Sequence, residues 1–135
     1  MYKTVLLIDD SKFLRRSNEL AISKAGYNVL GAADGEEGLE TARNKLPDVI
    51  VLDMMLPKLT GPQLLQALKQ DPRTSHIPVI VLSSLPQSNE AKLKKEGAAR
   101  YLEKSADGDA GAAALVEAIG SALRSHDAGH LRAAP

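Results

Sequence analysis

Short runs of consecutive apolar residues alternate along this chain with longer stretches in which apolar residues recur every three or four positions. The apolar runs are rich in β-branched residues and are continuous, which is typical of strands buried on both faces. The clearest runs are Val5–Ile8, Val49–Leu52 and Val79–Leu82, and weaker candidates cover residues 27–33 and 99–104. The pattern therefore predicts a parallel sheet covered by helices.

A stretch with helical spacing follows each predicted strand. These stretches cover residues 11–25, 34–46, 60–70, 88–97 and 111–125. The βα unit thus occurs five times, and such alternation is typical of a parallel sheet with crossover helices. We predict an α/β fold: a doubly wound, five-stranded parallel sheet of the (βα)5 flavodoxin-like type, with strand order 2-1-3-4-5.

The apolar residues of each helix predict which face packs against the sheet. The predicted buried positions are Phe13, Leu14, Leu20, Ala21 and Ala25 in the first helix, Leu39, Ala42 and Leu46 in the second, and Leu115, Ile119 and Leu123 in the last. Charged residues of the first helix, Arg15 and Glu19 among them, are predicted to point away from the sheet.

Length and composition favour one globular domain, since the chain has 135 residues, of which 44% are hydrophobic and 25% charged. Seventeen basic residues balance seventeen acidic ones, so no basic surface for direct nucleic-acid binding is indicated. The chain has no cysteine and no apolar stretch long enough for a membrane span, and we predict a cytoplasmic protein. Residues 1–125 are predicted to form the domain, and residues 126–135 a flexible tail or linker stub.

Polar residues follow four of the five predicted strands. Asp9 and Asp10 follow the first strand, Asp53 the third, Ser83 the fourth and Lys104 the fifth. Ligands of open α/β sheets bind beyond the carboxyl ends of the strands, and strands 1, 3, 4 and 5 are neighbours in the predicted order. We therefore expect these side chains to lie together.

The adjacent carboxylates of Asp9 and Asp10 repel each other unless a cation lies between them. With Asp53, they offer three hard oxygen donors at one edge of the sheet. Mg²⁺ binds through one or two carboxylates and keeps several waters, so it suits this set. The sequence therefore predicts a Mg²⁺ site.

These residues carry a resemblance to a known family. The chain resembles the response-regulator receiver domain of two-component signalling, of the chemotaxis-regulator kind. The matching features are the Asp9–Asp10 pair, Asp53 followed by "MMLPKLTG", Ser83, and Tyr101 three residues before Lys104. The resemblance covers about residues 1–125.

The resemblance implies that Asp53 accepts a phosphoryl group from a histidine kinase or a phosphotransfer protein. It assigns Mg²⁺ to Asp10, Asp53 and the backbone carbonyl of Met55, with Asp9 acting mainly through water. It also implies that Lys104 pairs with Asp53 at rest and with the phosphoryl oxygens afterwards. Such a protein is not an enzyme but a phosphoacceptor that assists its own phosphorylation and dephosphorylation.

The resemblance further implies a switch made of Ser83 and Tyr101. The Ser83 hydroxyl would donate to a phosphoryl oxygen, and Tyr101 would turn inward. The downstream protein target would then bind the face formed by helix 87–96, the fifth strand and the last helix. The chain would act as a single-domain regulator or as the receiver part of a larger one. One departure is Ser105, which follows Lys104 where the family usually has proline.

Three alternatives remain open at this point. A Mg²⁺ phosphatase of the haloacid-dehalogenase type would use an acid after the first strand, Asp10, as its nucleophile. A flavin-binding module would need a phosphate-binding loop where this chain has acids. A receiver that signals without phosphate would usually lack the acids or Lys104. Separately, His126 and His130 have the spacing of helical metal ligands, although in an Ala/Gly-rich tail solvated side chains are the favoured interpretation.

Overall fold

The computed structural model describes residues 2–54, 56, 58–83, 90–95, 97–103 and 108–133. Its strands are β1 (Thr4–Ile8), β2 (Asn28–Ala32), β3 (Val49–Asp53), β4 (Val79–Ser83) and β5 (Arg100–Glu103). Its helices are α1 (Lys12–Lys24), α2 (Gly35–Lys45), α3 (Gly61–Gln70), α4 (Glu90–Lys95) and α5 (Gly108–Ala133). None of these described helices combines the length and the apolar character that a membrane span requires.

The five strands form one sheet in the order β2-β1-β3-β4-β5, and every neighbouring pair is parallel. The predicted α/β fold and strand order are therefore confirmed. Because all strands run in the same direction, their carboxyl ends meet at one edge of the sheet. We call this the carboxyl edge; there β1, β3 and β4 end at Ile8, Asp53 and Ser83.

Successive residues of the central strands contribute to two hydrophobic cores, one on each face of the sheet. In β1, Leu6 and Ile8 belong to the core formed with α2 and α3, which contains Ala42, Leu64, Leu65 and Leu68. Val5 and Leu7 belong to the core formed with α1 and α5, which contains Ile22, Leu115 and Ile119. Side chains of a strand alternate between faces, so burial on both faces requires apolar residues at every position. This explains the continuous apolar runs of the sequence.

The predicted buried face of α1 is wrong. Phe13 is 81% exposed and Leu20 61%, whereas Ile22 is fully buried. The Arg15 side chain, predicted to point outward, is only 18% exposed. Arg15 and Ile22 lie seven residues apart and share one face of the helix. Relative to the prediction, the helix is therefore rotated about its axis. The Arg15 side chain faces the rest of the protein, and the Phe13 and Leu20 side chains face solvent.

The prediction for α2 is correct at its start and wrong at its end. The Asp34 side chain caps the helix by accepting the backbone N–H of Glu37 at 2.8 Å, which agrees with the predicted start at residue 34. Ala42 is buried and Leu39 is partly buried against the core. Leu46 is exposed, because it is the C-cap residue and has a left-handed backbone with φ 47°.

The last helix is longer than the sequence predicts. Leu115, Ile119 and Leu123 are buried as expected. The helix continues to Ala133, eight residues beyond its predicted end at residue 125. An existing helix extends at little cost, since each added residue gains a hydrogen bond without a new nucleus. The division into a domain of residues 1–125 and a tail of residues 126–135 stays a prediction.

Candidate functional site

Three aspartates meet at the carboxyl edge. Asp9 and Asp10 directly follow β1. Asp53 is the last residue of the neighbouring strand β3. Asp9 and Asp53 are each 1% exposed, whereas Asp10 is exposed. One carboxylate oxygen from each residue lies within 4.8 Å of the other two. The structure therefore brings the three predicted acids together, with one of them open to solvent.

The chemistry of this cluster fits a small divalent cation. All donors are carboxylate oxygens, which Mg²⁺ prefers over nitrogen or sulfur. In an octahedral site with bonds near 2.1 Å, ligand oxygens lie about 4.2 Å apart at most. The three oxygens lie within 4.8 Å of one another, which is close to this limit. The exposed Asp10 leaves an approach for the waters that Mg²⁺ retains.

Backbone and side-chain hydrogen bonds hold Asp9 at three points. Its N–H donates to the carbonyl of Ala32 at the end of β2, at 3.1 Å. Its Oδ1 accepts the N–H of Ser11 at 2.9 Å, and its carbonyl accepts Nη1 of Arg15 at 2.8 Å. Ser11 in turn caps α1 by accepting the N–H of Leu14. The start of α1 thus fixes the residue that joins β1 to the acid pair.

Arg15 is the residue of this site that the helical pattern misses. Its guanidinium also faces the Glu19 carboxylate, with Nε and Oε1 3.7 Å apart. Gly31 of β2 makes room for this pair, because a Cβ there would clash with Oε1 of Glu19. A glycine inside a strand often marks a close approach of another group. Gly31 is therefore a sequence signal for the approach of the Arg15–Glu19 pair to β2.

The residue after Asp53 is held between β4 and α3. The N–H of Met54 donates to the carbonyl of Leu82 at 3.0 Å, and the carbonyl of Met54 accepts the N–H of Gly61 at 3.3 Å. A Cβ on Gly61 would lie 2.5 Å from Cα of Met54. The start of α3 can therefore approach Met54 this closely only because residue 61 is glycine.

The loop after Asp53 packs against the start of α2. Lys58 has a left-handed backbone with φ 66°, and its Nζ lies 3.5 Å from Oδ2 of Asp34. The backbone N–H of Glu37 and the nearby Lys58 ammonium both lower the pKa of Asp34. Gly35 lacks the Cβ that would clash with the carbonyl of Leu59. The loop that leaves the acid cluster is thereby attached to a second helix.

Ser83 and Tyr101 lie on the same face of two neighbouring strands. Ser83 ends β4 and is fully buried. Tyr101 pairs with Val81, two residues before Ser83 in β4, and side chains two residues apart share a face. Tyr101 is 9% exposed and belongs to the core that contains Met54 and Leu56. Tyr101 is therefore packed into the core, and its role as a switch stays a prediction.

Some predicted site residues lie outside the described residues. These are Met55, Lys104 and Ser105, together with residues 87–89 and 96 of the predicted helix 87–96. For them, the roles implied by the resemblance stay predictions. The described part of that helix is α4, Glu90–Lys95.

Comparison with known proteins assigns this arrangement to a family. The family model of the response regulator receiver domain matches residues 5–116. PilH of Pseudomonas aeruginosa is 36% identical over 104 residues, which cover 76% of this chain and 86% of PilH. The chain belongs to the response regulator receiver family.

Two further relatives illustrate the range of proteins that contain this domain. The transcriptional regulatory protein CseB of Streptomyces coelicolor is 37% identical over 121 residues, or 89% of this chain and 49% of CseB. The crystal structure of the response regulator domain of Thermotoga maritima CheB has a TM-score of 0.81 and 29% identity, covering 92% of this chain and 98% of that one. The chain spans only 14% to 32% of the length of three other curated relatives.

Membership of this family removes support from two of the three alternatives that the sequence leaves open. The haloacid-dehalogenase and flavin-module interpretations are not supported, since the receiver family accounts for residues 5–116. A receiver that signals without phosphate belongs to the same family and is separated from a phosphoacceptor only by the chemistry of the acid cluster.

Proposed function

We propose that this chain is a phosphoacceptor in which Asp53 takes a phosphoryl group from a histidine kinase or a phosphotransfer protein. The observation that carries the proposal is the cluster of Asp9, Asp10 and Asp53, with one oxygen from each within 4.8 Å of the others. A receiver without phosphate chemistry has no need for three acids this close, since their mutual repulsion destabilises the fold.

The proposed phosphoryl transfer would use these positions as follows. An Asp53 oxygen attacks phosphorus, the phosphorus–nitrogen bond to the donor histidine breaks, and the imidazole leaves with the electron pair and takes up a proton. Asp10, Asp53 and the Met55 carbonyl would hold Mg²⁺, with Asp9 acting through water. Bound Mg²⁺ would screen the charge of the carboxylate and of the phosphoryl oxygens. Lys104 would neutralise a further phosphoryl oxygen.

Phosphorylation would be transmitted through Ser83 and Tyr101. A phosphoryl group adds charge of about −1.5 to −2 and strong acceptor oxygens, to which the Ser83 hydroxyl would donate. The shared face of Ser83 and Tyr101 supports their coupling. A target protein would read the change on the face formed by helix 87–96, β5 and α5, because β5 is an edge strand next to that helix.

On this proposal the chain is not an enzyme with a separate substrate, and it acts as a single-domain regulator or as the receiver part of a larger one. The cytoplasmic location and the absence of direct nucleic-acid binding remain predictions from the sequence.

The proposal predicts one phosphoryl group, located on Asp53. The protein is incubated with acetyl phosphate and Mg²⁺, the acyl phosphate is trapped by reduction, and the modified residue is identified by peptide mass spectrometry. Modification of Asp10 instead would point to phosphatase-type chemistry and would contradict the proposal.

The exposed apolar side chains of α1 indicate where the phosphodonor protein docks. Phe13 and Leu20 are 81% and 61% exposed, and α1 begins two residues after Asp10. Positions seven residues apart lie on the same face of a helix, and exposed apolar side chains next to a reactive site are typical of a protein-binding surface. We infer that the phosphohistidine partner covers these two side chains while its imidazole reaches Asp53.

Replacing Phe13 and Leu20 together by alanine should slow phosphotransfer from a phosphorylated histidine-containing phosphotransfer domain about tenfold or more, a loss of about 1.4 kcal/mol. The rate with acetyl phosphate should stay unchanged, because a small donor needs no docking surface. Leu46→Ala is the matched control, since Leu46 is also exposed but caps the far end of α2. Equal slowing with both donors, or with neither, would show that this surface has no docking role.

A further inference from the structure

Two histidines far apart in the sequence lie side by side at the end of the molecule opposite the acid cluster. His76 belongs to the loop that precedes β4, and His126 belongs to α5. Their ring centroids are 6.4 Å apart, and the rings are inclined by 33°. Both side chains line one surface cavity of about 320 Å³.

This cavity is at the amino edge of the sheet, where β1 and β3 begin at Thr4 and Val49. Its lining includes Lys3 and Asp48, the residues directly before these two strands. Asp48 is held in place, because its Oδ2 accepts the N–H of Thr4 at 2.7 Å. A strand of five residues separates the two edges by about 16 Å, so the cavity is distinct from the carboxyl edge.

The separation of the rings fits a shared metal ion. Histidine nitrogen binds Zn²⁺ at about 2.0–2.1 Å, which places the metal about 3.2 Å from each ring centroid. Two such rings are about 5.2 Å apart in a tetrahedral site and about 6.4 Å apart when they bind from opposite sides. The observed 6.4 Å lies at the upper end of this range. A side-chain rotation that brings the ring centroids about 1 Å closer would give the separation of a tetrahedral site.

We infer that His76 and His126 form a binding site for a divalent transition-metal ion such as Zn²⁺. Imidazole nitrogen is a ligand for Zn²⁺, Ni²⁺ and Cu²⁺ rather than for Mg²⁺, so the site would differ in metal preference from the acid cluster. The formal charges of Lys3 and Asp48 cancel, so the cavity wall carries no net repulsion toward a cation. The inference is independent of the proposed phosphoacceptor function.

The test is a titration of the full chain with ZnCl₂ in the presence of excess Mg²⁺, which competes with Zn²⁺ for the carboxylates of the acid cluster. The chain has three histidines, so each imidazole can be followed individually by NMR. The signals of His76 and His126 should shift together and saturate at one Zn²⁺ per chain.

His76→Gln and His126→Gln should each weaken Zn²⁺ binding at least about tenfold. Glu117→Gln, at an exposed position of the same helix, should bind as the wild type does. Because these positions are at or near the surface, the variants should fold, and thermal unfolding without Zn²⁺ checks this. Unchanged affinity in either histidine variant, or imidazole signals that shift at different Zn²⁺ concentrations, would overturn the inference.

Discussion

Replacing Gly61 by alanine should destabilise the protein by about 3 kcal/mol or more, because inserting atoms into a tightly packed contact forces the backbone to move. The new Cβ would lie 2.5 Å from Cα of Met54 and 2.9 Å from its carbonyl oxygen. Neither atom can rotate away, as a flexible side chain could. The free energy of unfolding, measured by urea denaturation, gives the effect directly. We also expect slower phosphorylation, because Met54 adjoins Asp53.

Gly120→Ala is the matched control for this substitution. Gly120 lies in α5, where a new Cβ would meet the flexible end of the Arg124 side chain at 3.1 Å and the Tyr27 hydroxyl at an ordinary contact distance of 3.6 Å. Alanine is favoured over glycine in a helix by about 0.5–1 kcal/mol, so this variant should be as stable as the wild type or more stable. A loss of similar size in both variants would contradict the close contact between Gly61 and Met54.

Replacing Asp10 by asparagine should lower the rate of phosphorylation by acetyl phosphate about a hundredfold at a fixed Mg²⁺ concentration, because the exchange removes a charged metal ligand. Asp10 is exposed, and asparagine has nearly the same shape, so the fold should be retained. The rate should be measured over a range of Mg²⁺ concentrations. Part of the loss should be recovered at high Mg²⁺.

Asp34→Asn separates this effect from a general loss of negative charge. Asp34 follows β2 at the same edge of the sheet but is not among the three clustered acids. Asparagine is also a good N-cap residue, so α2 should remain intact. This variant should be phosphorylated at close to the wild-type rate. An Asp10→Asn variant with an unchanged Mg²⁺ requirement would exclude Asp10 from the metal site.

The fold and the acid cluster could be predicted from the sequence because both depend on regular features. Continuous apolar runs such as Val79–Leu82 indicate strands buried on both faces, and five βα units leave few parallel topologies. In a parallel sheet, residues at the carboxyl ends of neighbouring strands must meet. Asp9 and Asp53 are therefore brought together by topology alone.

The buried face of α1 could not be predicted in the same way, because it depends on tertiary contacts. Apolar spacing places Phe13 and Leu20 inside, whereas in the structure Arg15 donates to the carbonyl of Asp9 and both apolar side chains are exposed. The proximity of His76 and His126 has the same origin, since fifty positions separate them in the chain. Contacts of this kind depend on how loops and helix ends pack, and hydrophobic periodicity carries no information about them.

The most direct test of the central claim is the intact mass of the protein after incubation with acetyl phosphate, with and without Mg²⁺, beside Asp53→Asn. Asp53 is buried at the end of β3, and asparagine preserves its shape without its charge. We predict one phosphoryl adduct that forms only with Mg²⁺ and is absent from Asp53→Asn. An adduct that forms equally in Asp53→Asn, or no adduct in the wild type at saturating Mg²⁺, would contradict the assignment of Asp53 as the phosphoacceptor.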